Sequence, residues 1–305
     1  MTAGAKDSTA LNVEGLTKRY PVPGGEDVLA VAGIDFEVAR GEVYGFLGPN
    51  GAGKTTTIRM LTGLARPTAG RAQVLGLDLA RDLSRIKKRI GVVPEASNLY
   101  AELSAQDNLL FCMQLYGVPR AERLPRAQAL LAQFRLGERR DTPFARLSRG
   151  MKRALTVAAA LAHRPELVFL DEPTTGLDVA SARGLRATIA GLREQGVTVF
   201  LTTHHLEEAE RLCDRIALIA RGRIVTVDTV EGLRARVAGT TAVELTLEGA
   251  EGTPETRRVA GEDVESALRA ALNQAQAQGR RVLSVNTVRP TLEDAFIQLT
   301  GLEKH

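Results

Sequence analysis

Gly48-Pro49-Asn50-Gly51-Ala52-Gly53-Lys54-Thr55 is the stretch of sequence that decides the fold. It fits the pattern G-x-x-x-x-G-K-[ST], which is typical of loops that hold phosphate groups. Phosphate oxygens require several backbone N–H groups to approach closely, and glycine permits that approach because it has no Cβ. Lys54 supplies a mobile positive charge for the β- and γ-phosphates, and Thr55 offers a hydroxyl to Mg²⁺.

The residues on either side of this loop support the same interpretation. Val43-Tyr44-Gly45-Phe46-Leu47 reads as a short buried strand. Lys54 to Leu61 reads as a helix whose positive N-terminal end faces the phosphates. The alternative, a glycine-rich turn that binds nothing, does not account for a strand before and a helix after the loop. The predicted nucleotide-binding residues of this segment are Gly48, Pro49, Asn50, Gly51, Ala52, Gly53, Lys54, Thr55 and Thr56.

Composition bounds the class of protein. The 305 residues suffice for one large or two modest domains, and 44% hydrophobic with 25% charged residues is typical of a globular chain. The net charge of +4 is too small to imply nucleic-acid binding. Cys112 and Cys213 form no metal-ligand pattern, so we expect them to be reduced and buried. No apolar run approaches the roughly 18 residues of a membrane helix, and Met1 to Asp7 contains no apolar signal segment. We therefore expect a cytoplasmic protein.

A second segment carries two carboxylates. Leu167-Val168-Phe169-Leu170-Asp171-Glu172 is an apolar run that predicts a central parallel strand ending in acids. Ligands of open α/β sheets lie at the C-terminal ends of such strands. Asp171 is therefore predicted to act on Mg²⁺, directly or through water, and Glu172 to orient and deprotonate an attacking water. The alternative is a strand that merely ends in solvated acids. The phosphate loop upstream favours the catalytic interpretation over this alternative.

Another buried strand, Val197 to Leu201, leads into Thr202-Thr203-His204-His205. A neutral His204 at a strand end can donate a hydrogen bond to a γ-phosphate. A lone histidine is usually structural, but Asp171 and Glu172 share the same predicted sheet edge. With the helix Val179 to Glu194 between the strands, the repeated strand–helix units predict a mostly parallel, doubly wound core.

The rest of the chain divides into three parts. Alternating segments before the loop, ending with Ile34 to Val38, predict an antiparallel β layer. A helical region runs from about Ser104 to His163. Between Arg120 and Arg153 it holds ten Arg or Lys against three acids, a local net charge of +7. We favour a solvated helical surface there, and a face toward an anionic membrane or partner stays open.

From about Thr240 the pattern predicts a small α+β domain without a catalytic constellation. The predicted boundaries are 8–238 for the nucleotide-binding domain, with a helical subdomain at about 96–163, and 239–305 for the accessory domain.

Leu147-Ser148-Arg149-Gly150-Met151-Lys152-Arg153 narrows the choice among phosphate-loop proteins. It resembles the signature sequence of ATP-binding-cassette (ABC) proteins, and the resemblance covers roughly Leu11 to Val237. Ser148 is placed to N-cap the following helix. Its hydroxyl and the Gly150 N–H would point from the positive helix end at an anion. In the family that anion is the γ-phosphate of ATP held by the other subunit, so two cassettes enclose two ATPs. The resemblance assigns this role in trans to Leu147, Ser148, Gly150 and Met151.

Further positions match the family. Tyr20 stands where an aromatic residue stacks on adenine. Thr174-Thr175-Gly176-Leu177-Asp178 resembles the D-loop, which crosses the dimer interface and here ends in Asp178. His204 resembles the switch histidine, which adds to Glu172 a second predicted catalytic residue. The predicted metal ligands are Thr55, Glu95 and Asp171.

Three positions depart from the family pattern. Arg149 replaces the first glycine of the signature, Met151 replaces its glutamine, and Glu95 stands where a glutamine is usual. The form Pro94-Glu95 followed by Asn98-Leu99-Tyr100 is similar to that of exporters related to daunorubicin-resistance and sodium-extrusion ATPases. The tail Pro290-Thr291-Leu292-Glu293-Asp294-Ala295-Phe296 is similar to the C-terminal extension of that subfamily.

The resemblance implies an α/β P-loop NTPase core with a mostly parallel sheet, an N-terminal antiparallel β layer, a helical subdomain and a small C-terminal α+β domain. It implies an ATPase subunit of an ABC-2 exporter that uses ATP and Mg²⁺ and forms a head-to-tail homodimer. It also implies a separately encoded membrane permease, a place on the inner face of the cell membrane and no nucleic-acid partner.

The alternative is a soluble ABC ATPase acting on nucleic acid or the ribosome. Such relatives would show a coiled-coil or zinc insertion, or two cassettes in one chain. A P-loop kinase or GTPase would leave the signature and His204 unexplained.

Overall fold

A computed structural model of the chain describes residues 8–237, 241–248, 253–261, 264–288 and 291–301. Pro290 of the tail motif and residues 238–240 at the predicted domain boundary lie outside these ranges. The chain divides into two compact units between Val227 and Asp228, eleven residues before the boundary expected from the sequence. The helix Val230–Val237 belongs to the second unit because it packs against Leu292–Thr300.

The secondary structure of the first unit is as follows. Its strands are β1 (Thr9–Tyr20), β2 (Val28–Ala39), β3 (Val43–Leu47), β4 (Ala69–Val74), β5 (Leu77–Asp78), β6 (Ile90–Val93), β7 (Leu167–Asp171), β8 (Thr198–Thr203), β9 (Arg215–Ala220) and β10 (Arg223–Asp228). Its helices are α1 (Lys54–Leu61), α2 (Leu83–Lys87), α3 (Ala105–Leu115), α4 (Arg120–Gln133), α5 (Arg149–Leu161), α6 (Val179–Glu194) and α7 (Leu206–Leu212).

A six-stranded sheet with the order β10-β9-β3-β8-β7-β6 forms the centre of the first unit. The strand β3 pairs in parallel with both β8 and β9, and β7 pairs in parallel with β6 and β8. The strand β7 is apolar from Leu167 to Leu170 because both of its faces are covered. Val168 and Leu170 face a core shared with the helices, whereas Leu167 and Phe169 face a core shared with the N-terminal strands. The predicted mostly parallel sheet is thereby confirmed.

The predicted antiparallel layer is also confirmed. Its strands lie in the order β2-β1-β4-β5, and each neighbouring pair is antiparallel. In β2 the side chains of Ile34, Phe36 and Val38 are buried while Asp35 and Glu37 are exposed. This two-residue alternation is that of a sheet with one face on a core and one in solvent.

The predicted helical subdomain consists of α3, α4 and α5, whose apolar faces share one core. The hydroxyl of Ser104 accepts a hydrogen bond from the Asp107 N–H at 3.0 Å and caps α3. Pro119 lies just before α4, so α3 and α4 are separate helices.

The second unit contains α8 (Val230–Val237), β11 (Thr241–Glu248), β12 (Pro254–Gly261), α9 (Val264–Ala277), β13 (Val282–Val288) and α10 (Leu292–Thr300). Its antiparallel sheet has the order β12-β11-β13. Val243, Leu245 and Leu247 of β11 pack against three alanines of α9. Across the described ranges of both units, no helix combines the length and apolarity needed to cross a membrane.

Strand register determines where the predicted site residues meet. Leu47 at the end of β3 lies opposite Thr203 in β8, and Asp171 at the end of β7 lies opposite Thr202. The loops that leave β3, β7 and β8 therefore start from the same edge of the sheet.

The opposite edge carries an ion-pair group that stabilises the fold. Glu166, just before β7, accepts from Arg89 Nε at 2.5 Å and from Arg40 Nη1 at 2.9 Å. The hydrogen bond from Arg89 is the main cause that lowers the pKa of Glu166 to about 2. We expect Glu166→Gln to lower the free energy of unfolding at pH 7 by at most about 1 kcal/mol, because the carboxylate is 42% exposed and screened by solvent.

The sign of this effect predicts its pH dependence. A carboxylate with a lowered pKa stabilises the folded state above its ordinary value near 4.5, and this contribution is lost as the pH falls toward 2. Urea unfolding of the wild type and of Glu166→Gln should therefore differ at pH 7 and converge in acid. A difference that persisted undiminished at pH 2 would contradict the assignment.

Candidate active site

Close packing against neighbouring strands requires glycine at two positions of the loop 48–53. A Cβ on Gly48 would lie 2.3 Å from the Ile219 carbonyl oxygen. Gly53 has φ +106°, and a Cβ there would lie 2.6 Å from the Ala30 carbonyl oxygen. The loop thus fits between β2 and β9 only because both positions lack a side chain.

Gly53 is also the N-cap of α1 and offers no capping side chain. The N–H groups in the first turn of α1 are consequently left for another acceptor. A helix N-terminus of this kind favours a phosphate, as the sequence pattern predicted.

The loop opens onto a cavity of about 360 Å³, a size within the ordinary range of small-molecule sites. Its lining residues are Ala30, Asn50, Gly51, Gly53, Lys54, Thr55, Thr56, Glu95, Glu172, Thr175 and His204. The structure thereby brings the predicted phosphate loop together with Glu95, Glu172 and His204.

Lys54 is buried at the base of this cavity, with 6% of its side chain exposed. Its ammonium donates to the carbonyl oxygens of Gly48 at 2.7 Å and Pro49 at 3.1 Å. The same nitrogen lies 3.1 Å from Oε1 of Glu172, an ion pair without the alignment of a hydrogen bond. These contacts place the positive charge of Lys54 between the loop and the end of β7.

Glu172 is held in an uncommon conformation. Its φ is +47°, the left-handed region that non-glycine residues rarely occupy. Its Oε2 accepts from His204 Nδ1 at 2.8 Å and from the Thr175 hydroxyl at 3.2 Å. Burial raises the pKa of Glu172, but the positive charge of Lys54 and the hydrogen bond from His204 together outweigh burial and lower the pKa below its ordinary value. The carboxylate is therefore ionised and able to accept a proton.

His204 uses a ring hydrogen for this contact. A carboxylate only accepts, so Nδ1 carries the hydrogen in the bond to Glu172. A neutral ring in that tautomer has no hydrogen on Nε2. The predicted donation from neutral His204 to a γ-phosphate stays a prediction, and it requires either the other tautomer or a second proton on the ring.

Asp171 and Thr55 supply oxygen atoms to the same edge. The Thr55 hydroxyl donates to Asp171 Oδ1 at 3.2 Å, and the Thr202 hydroxyl donates to the same oxygen at 2.6 Å. A hydroxyl and a carboxylate are hard oxygen ligands of the kind that Mg²⁺ prefers, with phosphate oxygens completing its coordination. Among the residues that the structure describes, no group of three or more His, Cys, Asp or Glu is arranged to hold a metal by itself.

Arg153 is a site residue that sequence reasoning missed. It was assigned to the solvated basic surface between Arg120 and Arg153, and for this residue that prediction is wrong: only 8% is exposed. Its guanidinium donates to backbone carbonyls after β6 and at the end of β7. The acceptors are the carbonyl oxygens of Pro94, Glu95 at 3.1 Å, Asp171 at 2.7 Å, Glu172 at 3.1 Å and Pro173 at 2.8 Å.

A signal for Arg153 was present in the helical spacing. Thr156, Val157 and Ala160 of α5 are buried, at i+3, i+4 and i+7 from Arg153. That spacing marks one face of a helix, so the arginine lies on the inner face. One guanidinium therefore joins the segment that holds Glu95 to the segment that holds Asp171 and Glu172.

The signature segment lies elsewhere on the first unit. The Ser148 hydroxyl accepts from the Met151 N–H at 3.3 Å and caps α5, as predicted. Gly150 packs closely on α6, since a Cβ there would lie 2.3 Å from Ser181 Oγ. Ser148, Gly150 and Met151 line a groove of about 600 Å³ that does not include the phosphate loop, and Leu147 is buried behind it. The structure does not bring the signature to the phosphate cavity of the same chain.

Two further predicted residues have local roles. Asp178 caps α6, accepting from the Ser181 N–H at 2.9 Å, and the hydrogen bonds from Ser181 lower the pKa of Asp178. Tyr20 ends β1, where the Lys18 ammonium lies 4.9 Å from its ring centroid. Tyr20 does not line the phosphate cavity, and its contact with adenine stays a prediction.

Several known proteins resemble the chain in sequence or in fold. Residues 31–175 match the family described as ABC transporter. Linearmycin resistance ATP-binding protein LnrL of Bacillus subtilis (strain 168) is 35% identical over 95% of this chain and 98% of its own length. Daunorubicin resistance ATP-binding protein DrrA3 of Streptomyces coeruleorubidus is 37% identical over 96% of each chain. A dimeric post-hydrolysis structure of the ATP-binding cassette MJ0796 bound to ADP and Pi matches with a TM-score of 0.67 and 25% identity, covering 72% of this chain and 98% of that one.

Proposed function

This chain belongs to the ABC transporter family of ATP-hydrolysing proteins, and from that premise we propose that it powers export through a membrane permease encoded as a separate chain. The enzymatic part of this proposal depends most on one observation, the carboxylate of Glu172 held between Lys54 and His204 beside the phosphate loop. The similar proteins named for resistance and export favour export over action on nucleic acid or the ribosome.

The proposed hydrolysis depends on a competition between the γ-phosphate and Glu172 for the ammonium of Lys54. The loop N–H groups and Lys54 bind the β- and γ-phosphates of ATP. Since Lys54 contacts Glu172 at 3.1 Å, the γ-phosphate competes with that carboxylate for the ammonium. Glu172 Oε1 is then released to orient a water molecule and take its proton, while the bonds from His204 and Thr175 keep Oε2 in place.

Magnesium fits the oxygen donors at this edge. Thr55, Asp171 and, in the same cavity, Glu95 would hold it, and Thr202 orients the Asp171 carboxylate. The ion would neutralise phosphate charge during hydrolysis.

The separation of the two motifs supports a head-to-tail homodimer. Lys54 and Ser148 line different cavities, and two chains that face each other would bring both residues to one γ-phosphate. The dimeric cassette among the similar structures provides a precedent. The permease then places the ATPase on the inner face of the cell membrane.

The purified chain tests the enzymatic part of this proposal. We expect Mg²⁺-dependent release of phosphate from ATP and its near-complete loss in Lys54→Ala.

The export part of the proposal requires co-expression with the permease. The chain should then move to the membrane fraction, and Lys54→Ala should move with it because this buried substitution leaves the surface of the chain unchanged. Full hydrolysis by Lys54→Ala would overturn the site, and absence of both forms from the membrane fraction would overturn the export assignment.

Glu95 gives a more specific test. Glu95 lines the phosphate cavity and adds a negative charge where the family usually has a neutral glutamine. We expect Glu95→Gln to stay active and to bind ATP about tenfold more tightly in the presence of a chelator, because removing one like charge is worth on the order of 1–3 kcal/mol. With Mg²⁺ the two proteins should bind ATP more nearly equally.

Nucleotide titration with and without chelator measures this difference. Glu102→Gln, an exposed acid before α3, is the matched control and should change neither titration. Equal affinity of Glu95→Gln and wild type for metal-free ATP would show that Glu95 does not act on the phosphates.

A further inference from the structure

Arg149 is the signature residue that the proposed mechanism leaves without a task. It stands between Ser148 and Gly150 as the first residue of α5, at a position where the family usually has glycine. Its side chain is exposed, and its guanidinium lies against Gly176 of the D-loop. A Cβ on Gly176 would lie 2.8 Å from Arg149 Cζ and 2.9 Å from both terminal nitrogens. The absence of a side chain at Gly176 therefore leaves room for the guanidinium.

Arg149 is unpaired within the part of the chain that the structure describes. No hydrogen bond or ion pair to Arg149 is found there, whereas Arg126 pairs with Glu122 and Arg140 with Asp141. Asp178, two residues after Gly176, directs both of its oxygens to Ser181. A cation is also unfavourable at the positive N-terminal end of a helix. The arrangement therefore favours an anionic ligand.

We propose that Arg149 binds the terminal phosphate of the ATP held by the second subunit of the dimer. The inference rests on the head-to-tail dimer proposed above, because Arg149 lies beside Ser148 and does not line the phosphate cavity of its own chain. Guanidinium binds phosphate through two parallel N–H bonds, and an arginine supplied in trans stabilises the charge of a transferring phosphoryl group. Arg149 moves from Gly176 to the phosphate when the dimer closes, which couples the signature to the D-loop.

The first experiment measures ATP-driven dimerisation by sedimentation, with Glu172→Gln as background to prevent turnover. Adding Arg149→Gln should raise the ATP concentration for half-dimerisation by about tenfold or more, because a charge-assisted phosphate contact is lost. Arg149→Lys should recover part of the loss, since lysine retains the charge but not the paired donors. ATP binding to the monomer should not change. Arg139→Gln, which removes an equal charge from an exposed turn, should dimerise like the background.

The outcomes of this experiment separate the two proposals. If the Glu172→Gln background dimerises with ATP and adding Arg149→Gln makes no difference, the role of Arg149 is overturned and the dimer stands. If the background itself remains monomeric at saturating ATP, the head-to-tail dimer is overturned, and the role of Arg149 with it.

A second experiment tests whether Arg149 acts in trans, by mixing subunits that carry different defects and measuring hydrolysis. In a mixed dimer of Lys54→Ala with Arg149→Gln, one site has an intact loop facing an intact signature, so activity should exceed that of either variant alone. Lys54→Ala with Glu172→Gln should show no recovery, because each site then contains one of the two defects. If Lys54→Ala regained ATP hydrolysis when mixed with Ser148→Ala but not when mixed with Arg149→Gln, the action of Arg149 in trans would be overturned. If Lys54→Ala regained hydrolysis with neither variant, the head-to-tail arrangement would be overturned.

Discussion

Replacing Glu172 by glutamine is expected to slow ATP hydrolysis by about 10²–10⁴-fold while ATP still binds, because the amide cannot accept the proton of water. The amide retains the shape of the side chain and can accept from Thr175 and His204 as the carboxylate does. It also removes the charge 3.1 Å from Lys54, so the phosphates no longer compete for the ammonium. ATP should therefore bind as tightly as before or more tightly. Single-turnover hydrolysis and equilibrium ATP binding measure the two effects separately.

Glu166→Gln is the matched control for this experiment, since it makes the same chemical change at the opposite edge of the sheet. Hydrolysis by Glu166→Gln should equal that of the wild type. If Glu172→Gln hydrolysed ATP at a wild-type rate, the proton would have to go to another group, and the assignment of Glu172 would be wrong.

Arg153→Met is expected to lower the free energy of unfolding by about 3–5 kcal/mol, because buried carbonyl oxygens that lose their donor cost about 1–3 kcal/mol each unless water replaces it. Methionine fills a similar volume but offers no N–H group. The affected carbonyls include those of Glu95 and Asp171, so the segment that holds Glu95 and the end of β7 should also loosen. Urea unfolding measures the stability, and the affinity for Mg²⁺-ATP measures the effect on the site.

Two further variants keep this prediction testable if Arg153→Met does not fold. Arg153→Lys retains three donors and should lose an intermediate amount of stability. Arg139→Met removes an exposed arginine and should stay within about 0.5 kcal/mol of the wild type. A loss below about 1 kcal/mol for Arg153→Met would show that water replaces the guanidinium at little cost.

Much of the fold was predictable because the decisive segments carry local signals. The bounds of β3, α1 and α6 agree with those expected from apolar runs and helical spacing. The strand β12 was missed because it is an edge strand in which Glu255 and Arg257 pair with each other in place of an apolar pattern. The helix α8 was missed because its eight residues are too few for a clear periodicity, and its partner α10 lies more than fifty residues later.

The site was predictable where a motif is contiguous and not where it depends on register. The phosphate loop and the pair Asp171 and Glu172 are contiguous in the sequence. The role of Thr202 follows only from its place opposite Asp171 in the neighbouring strand. The contact of Lys54 with Glu172 joins residues 118 positions apart, and no spacing along the chain reports it.

The central position of β3 has a consequence for how the protein is made. Its neighbours in the sheet are β8, which starts at Thr198, and β9, which ends at Ala220. A ribosome adding about 5–20 residues per second needs on the order of ten seconds or more to travel from β3 to β9. Until β8 has been made, both edges of this apolar strand lack their native partners, which is the condition under which nascent strands aggregate. The ATP site can form only near the end of translation of the first unit. We therefore expect truncated products that stop before β8 to be retained by chaperones or degraded.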